Sequence, residues 1–136
     1  SLAITSTVPV AASLRTVVNG DLGQLAAVPP LEGSSSAVVA PSGEHRLVVS
    51  AAERAGVARL HFIGAEDKKS ADQRTRLRPG VTTSVEVPPG ARAVVVDADV
   101  PYVGSLRSVG DNGITSLPLR QLETERLIPD VRPSWP

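Results

Sequence analysis

Apolar and polar residues alternate with a period of two over most of this chain, and turn-forming residues interrupt the alternation every 8–12 positions. That pattern predicts an all-β chain of short strands, because successive side chains of a strand point to opposite faces of a sheet. Strands are expected near 2–5, 10–18, 24–28, 36–40, 45–51, 57–63, 72–78, 82–87, 91–97, 102–109 and 113–118. Parity assigns their faces. Leu47, Val49 and Ala51 share one side of their strand, as do Ala58, Leu60 and Phe62, while Arg74, Arg76 and Arg78 oppose Thr75 and Leu77. Arg78-Pro79-Gly80 and Pro88-Pro89-Gly90 read as tight hairpin turns: proline presets φ at the first corner and glycine accepts a positive φ at the second. Helix is scarce. Ala51–Ala55 forms one helical turn or a hairpin loop, 120–128 has no clean period, and the proline-rich end from Pro129 to Pro136 is expected to be extended.

One segment occurs twice. Val8-Pro9-Val10-Ala11-Ala12-Ser13-Leu14-Arg15-Thr16-Val17 returns 92 residues later as Val100-Pro101-Tyr102-Val103-Gly104-Ser105-Leu106-Arg107-Ser108-Val109, with six of the ten positions identical. Each copy then passes through a turn, Asn19-Gly20-Asp21 or Gly110-Asp111-Asn112-Gly113, into a short apolar stretch ending in proline. A fixed period of self-similarity is the mark of repeated architecture. Val10, Ala12 and Leu14 match Tyr102, Gly104 and Leu106 in parity, so Leu14 and Leu106 are both expected inside. Ser34-Ser35-Ser36 after Gly33 is the one linker-like stretch. The expected organisation is residues 1–33 as last strands of a preceding repeat or first strands of the sandwich, 34–120 as a complete β-sandwich unit and 121–136 as a tail. The sandwich is expected to be antiparallel, of immunoglobulin-like or jelly-roll type, with a neighbouring domain of the same polypeptide as its nearest partner.

Composition narrows the chemistry. The three aromatics are Phe62, Tyr102 and Trp135, so the core must be aliphatic. Fourteen basic and fourteen acidic residues give zero formal charge, which argues against a general nucleic-acid binder, since such a protein needs a basic excess to release counterions. The lack of cysteine removes disulfides and thiol chemistry. The lack of methionine leads us to expect a processed or excised piece of a longer protein. No apolar run approaches the ~20 residues of a membrane-spanning helix.

Candidate sites are few. His45 and His61 are the only histidines, no G-x-S-x-G is present, and both read better as strand residues than as catalytic bases. Asp97 and Asp99 bracket Ala98 as a conceivable calcium pair, but their first-copy counterparts are Thr5 and Thr7, and backbone hydrogen bonding is the plainer role. No catalytic residue, metal site or cofactor is therefore expected. An esterase or glycosidase is the weakest reading, because no pair of functional groups has recognisable spacing. The sharper candidate is an outward set of Arg46, Arg59, His61, Arg74, Arg76 and Arg78, expected to share a sheet face. Guanidinium forks match phosphate and carboxylate oxygens in pairs, so such a face suits an anionic cell-envelope polysaccharide. The plainer alternative is a solvated face neutralised by Asp72 and Glu86.

The Val-Pro-Val-Ala-Ala-Ser-Leu strand, Leu77–Val87, the segment from Val100 to Leu106 and the terminal Val131-Arg132-Pro133-Ser134-Trp135-Pro136 together resemble the C-terminal part of large secreted actinobacterial proteins of unknown function. The resemblance carries no activity or site residues. It implies a place outside the membrane, secreted or associated with the cell envelope; the function expected from the chain as a whole is a structural or adhesive role without catalysis.

Overall fold

The computed structural model describes residues 4–18, 21–66, 71–110 and 113–122. The turn residues Asn19, Gly20, Asp111 and Asn112, the loop tip Asp67–Lys69 and the segment 123–136 lie outside the described residues. The elements are β1 (Ser13–Val18), β2 (Asp21–Ala26), β3 (Leu31–Val38), β4 (Glu44–Ala51), β5 (Gly56–Ile63), β6 (Asp72–Leu77), β7 (Thr83–Glu86), β8 (Ala93–Gly110), β9 (Gly113–Pro118) and β10 (Arg120–Gln121). Every strand pairing is antiparallel, and the fold is all-β and sandwich-like. Membership follows the alternation: no helix of the described residues is long and apolar enough to cross a membrane.

β8 organises the rest. It runs 18 residues, and both its edges are paired along most of that length. Ala98 lies opposite Gly33 of β3 and Ala58 of β5, and Tyr102 lies opposite Leu31 of β3 and Ala51 of β4. One edge is therefore taken by β9 and then β3, the other by β4 and then β5. β6 extends the sheet beyond β5, β7 beyond β4, and β10 beyond β3. β8 cannot be straight. Val38 is opposite Ala93 and Glu44 is opposite Val109, rungs separated by roughly 53 Å of strand contour. The loop joining Val38 to Glu44 reaches at most about 20 Å. The strand must curl back so that its two halves enter two facing layers, as a long twisted strand can.

The curl happens without a change of parity. Val94, Val96, Ala98, Val100, Tyr102 and Leu106 are all buried, facing Leu47, Val49 and Ala51 of β4 and Ala58, Leu60 and Phe62 of β5. Gly104 keeps the phase: a Cβ there would lie 2.6 Å from Leu119 Cδ1 and 3.0 Å from Val49, so the missing side chain lets Leu119 cross into the core. Proline alone predicts a break between the strands expected at 91–97 and 102–109, yet the structure runs them as one. Pro101 has no N–H to donate, and none is needed there: β3 slips register between Leu31 and Gly33, and on the other edge the chain is turning from β4 to β5. Pro101 contributes its carbonyl instead, accepting from the Ala52 amide at 2.9 Å. The stretch Ala52–Ala55 is accordingly a loop.

The serine run is corrected in the same way. Ser34–Ser36 is not a linker but the middle of β3, and the boundary expected at 33/34 falls inside that strand. Ser35 is fully buried, its hydroxyl 2.5 Å from the Tyr102 hydroxyl, which also donates to the Val96 carbonyl at 3.2 Å. A buried hydroxyl has to be bonded, and these two satisfy each other.

The repeat appears as two hairpins of one register. In the first, Ser13, Leu14, Arg15, Thr16, Val17 and Val18 face Ala26, Leu25, Gln24, Gly23, Leu22 and Asp21. In the second, Ser105, Leu106, Arg107, Ser108, Val109 and Gly110 face Pro118, Leu117, Ser116, Thr115, Ile114 and Gly113. Every rung repeats at an offset of 92, as does the next hydrogen bond, Ala27 N–H to Ala12 O and Leu119 N–H to Gly104 O, both 3.0 Å. Their surroundings differ. Leu106 is buried as expected, whereas Leu14 is about half exposed, because β1 and β2 form a separate two-stranded sheet with no β4 beside it.

Two predictions follow from this frame. Gly80 and Gly90 both have positive φ, 70° and 76°. A Cβ on Gly80 meets nothing within 4 Å, while one on Gly90 would lie 2.7 Å from Glu66 Cγ and 3.1 Å from Gly64 O. Gly80→Ala should cost about 1 kcal/mol from left-handed strain alone, and Gly90→Ala measurably more; paired denaturant melts check the order. Burial pushes the Tyr102 phenol above its ordinary value of 10.0, an effect the Ser35 hydrogen bond partly offsets and Asp97 reinforces. Its contribution to stability is therefore full below pH 10 and is lost as pH rises through the higher folded value, because the unfolded chain ionises first. Since Tyr102 is the sole tyrosine, tyrosinate absorbance in an alkaline titration should appear together with unfolding and not before it.

Candidate functional site

Cross-strand register decides which of the arginines meet. Arg59 on β5 lies directly opposite Arg74 on β6, and on its other side opposite Asp97 of β8. His61 is opposite Asp72, two rungs from Arg59 on one side, and Arg76 is opposite Val57, two rungs from it on the other. Arg59, His61, Arg74 and Arg76 therefore share the outer face of the layer built on the first half of β8, and all four are exposed. Arg78 stands at the end of that row, in the β6–β7 turn, where it bridges to Val81. Arg46 does not join them. It sits on β4 between Glu86 of β7 and Arg107 of β8, and Arg107 is ten residues along β8 from Asp97, beyond the curl. The expected set of six thus resolves into a group of four, one turn residue and one residue of the other layer.

Acidic partners are unevenly distributed over the face. His61 Nδ1–H donates to the Asp72 carboxylate at 2.5 Å. The Asp97 carboxylate accepts from the Ser34 hydroxyl at 3.2 Å, and Asp99 accepts from the Val57 amide at 2.7 Å. Both carboxylates of the conceivable calcium pair are thus engaged with strand groups on the neighbouring β3 and β5. Among the described residues no group of three His, Cys, Asp or Glu side chains gathers at metal-binding range. Arg59 opposite Arg74 is the unusual feature, because like charges directly opposite on one face destabilise a strand pair. The arrangement suits an oxyanion lying between the two forks.

Parity also explains a feature that residue spacing missed. His45 occupies the inward phase of β4, the phase of Leu47 and Val49, and lies opposite Ser108, inward on β8. It is half-buried rather than solvated, with Nδ1 2.8 Å from the Ser108 hydroxyl and Nε2 buried without a partner. This polar rung closes the end of the core beside Leu47 and Leu106, at an open groove of about 940 Å³ between residues 38–46 and 86–92. His45 reads from the sequence only as a strand residue, and its Ser108 partner lies 63 residues away on another strand, so the rung had no local signature.

Protein-family models, curated proteins and solved structures were compared with this chain, and none of them matches.

Replacing Arg74 by glutamate puts opposite charges across the β5–β6 pair. Arg74→Glu should raise stability by roughly 0.2–1 kcal/mol, with the gain shrinking as salt is added; a melt at low salt that is unchanged or lowered contradicts a repulsive Arg59–Arg74 rung.

Proposed function

We propose that this chain is a non-catalytic structural or adhesive module, one of a tandem series, in a larger protein secreted from the cell or held at its envelope. The observation that carries the modular part is the offset of 92: two hairpins agree rung by rung, in a chain long enough for only one complete sandwich. Such agreement is what serially repeated β modules produce. Placement outside the membrane is supported by the resemblance to secreted actinobacterial proteins carried by the Val-Pro, Leu-Arg-Pro-Gly and terminal Pro-Ser-Trp-Pro segments. The partners of the module are then the neighbouring domains of its own polypeptide. Antibody raised against this chain and applied to intact cells and culture medium of the source organism tests the placement: signal is expected without lysis, and signal seen only after lysis overturns it.

A second reading has its own observation, the directly opposed Arg59 and Arg74 on an exposed face with His61 and Arg76. On this reading the face holds an anionic cell-envelope polysaccharide. Exposed charges contribute little to folding, so Arg59→Ser with Arg74→Ser should leave melting nearly unchanged while lowering retention on an anionic polysaccharide column. Retention of the wild type should weaken as salt rises, since such attraction is screened over about 8 Å at physiological ionic strength. A wild-type protein that is not retained at low salt removes this reading.

A further inference from the structure

The first hairpin and the irregular segment before it hold apolar side chains that their own chain leaves largely exposed. Ile4, Val8, Val10 and Leu14 are 57%, 62%, 60% and 49% exposed. At the offset of 92 their counterparts are Val96, Val100, Tyr102 and Leu106, four members of the core and at most 6% exposed. The correspondence is one of sequence position: Leu14 lies on β1, and the other three precede it in backbone outside any strand. We infer that residues 4–26 form the closing strand and last hairpin of a second sandwich of this same fold, preceding this one in the polypeptide, and that β1 accepts along its free edge a strand of the β4 type. The inference rests on the tandem reading and adds to it the surface and the partner.

Three observations select that occupant. First, β1 is paired with β2 alone among the described residues, whereas its counterpart in β8 is paired with β9 on one edge and β4 on the other. The unpaired edge is the one that β4 fills in the second copy, with Leu47 opposite Leu106 and Val49 opposite Gly104. Unpaired strand edges bind further strands by main-chain hydrogen bonds, with alternate side chains setting specificity. Second, the main-chain bond that follows the hairpin is the same in both copies. Gly104 leaves room for Leu119, with a would-be Cβ 2.6 Å from its Cδ1. The matching positions are Ala12 and Ala27, joined by the same 3.0 Å hydrogen bond. What repeats at this contact is the main-chain bond, since the alanine pair carries two side-chain carbons where Gly104 and Leu119 carry four. Third, the hairpin is poorly seated where it now lies. It rests over the outer face of β4, β8 and β9, with a cleft of about 510 Å³ between Leu14, Leu22 and Leu25 on one side and Val48, Arg107 and Ile114 on the other.

The test supplies the missing strands. Residues 31–92, which contain β3 to β7, are fused directly ahead of Ser1 of the full 136-residue chain, so that residues 1–26 follow them as 93–118 do in the native order. Val10 stands where Tyr102 satisfies the buried Ser35 hydroxyl, so a second version carries Val10→Tyr to restore that bond. Hydrogen exchange of the backbone amides of residues 4–18 and 21–26 is measured in the native chain and in both fusions. We expect exchange to slow by roughly a hundredfold or more in the Val10→Tyr fusion, as these amides enter a cooperative core. Leu14→Asp should abolish that protection in the fusion and leave the melting of the native chain unchanged. Unchanged exchange in both fusions overturns the inference, as does protection that Leu14→Asp leaves intact. A native chain that dimerises with rising concentration and is made monomeric by Leu14→Asp gives the face to a second copy and also overturns it. None of these results depends on where the protein resides, so failure here is separable from failure of the extracytoplasmic placement.

Discussion

Everything in this fold depends on one strand keeping its phase while changing its direction. From Val94 to Leu106 the even-numbered residues of β8 keep their inward phase, although the two halves of the strand serve different layers and β8 runs two residues longer than β3 between the Ala98 and Tyr102 rungs. A one-residue slip would send this entire set to the surface, so both edges have to be locked. The edges divide that work between β9 and β3 on one side and β4 and β5 on the other. The curl is accommodated by the two residues that β8 has in excess of β3 between the Ala98 and Tyr102 rungs, and on the other edge by the β4–β5 loop. This is how a proline can stand inside the central strand: it occupies the place where the ladder is already interrupted on both sides.

An aliphatic core specifies packing weakly compared with one rich in aromatic rings, and here polar rungs add definition. Tyr102 and Ser35 join β8 to β3 in the middle of the core, while His45 and Ser108 join β4 to β8 at its end. Misplacing either pair by one rung would strand a buried polar group, an outcome more costly than the bond is favourable. The chemistry-bearing groups of the outer faces are by contrast arranged as cross-strand rows, with Arg74, Arg59 and Asp97 in one and Asp72 and His61 in the next. Such a molecule offers edges and faces to its surroundings, and both proposed roles use them.

Much of this was legible because period-two alternation reports on faces directly. Leu47, Val49, Ala58, Leu60, Phe62 and Leu106 lie inside as parity requires, and the Pro-Gly corners have the glycine conformation that their turns need. Alternation does not say whether a face has a partner, which is why Leu14 was expected inside and is half exposed. Nor does local composition reveal a distant partner: Ser34–Ser36 looks like a linker until Tyr102, 67 residues beyond Ser35, supplies a buried bond. Arg46 shares outward parity with Arg59 and Arg74, but parity holds within a strand, and only the pairing with Glu86 and Arg107 places it in the other layer. The His45 rung was missed for the same reason.

The dependence on β8 is most directly tested by native-state hydrogen exchange along that strand under increasing denaturant. If one continuous strand holds both layers, the bonded amides of its first half, beside β3 and β5, and of its second half, beside β4 and β9, should converge on a single opening free energy with one denaturant slope, that of global unfolding. Two separate isotherms, with one half opening sub-globally at lower free energy and a smaller slope, would contradict the account by showing that the layers are independent units joined at Pro101.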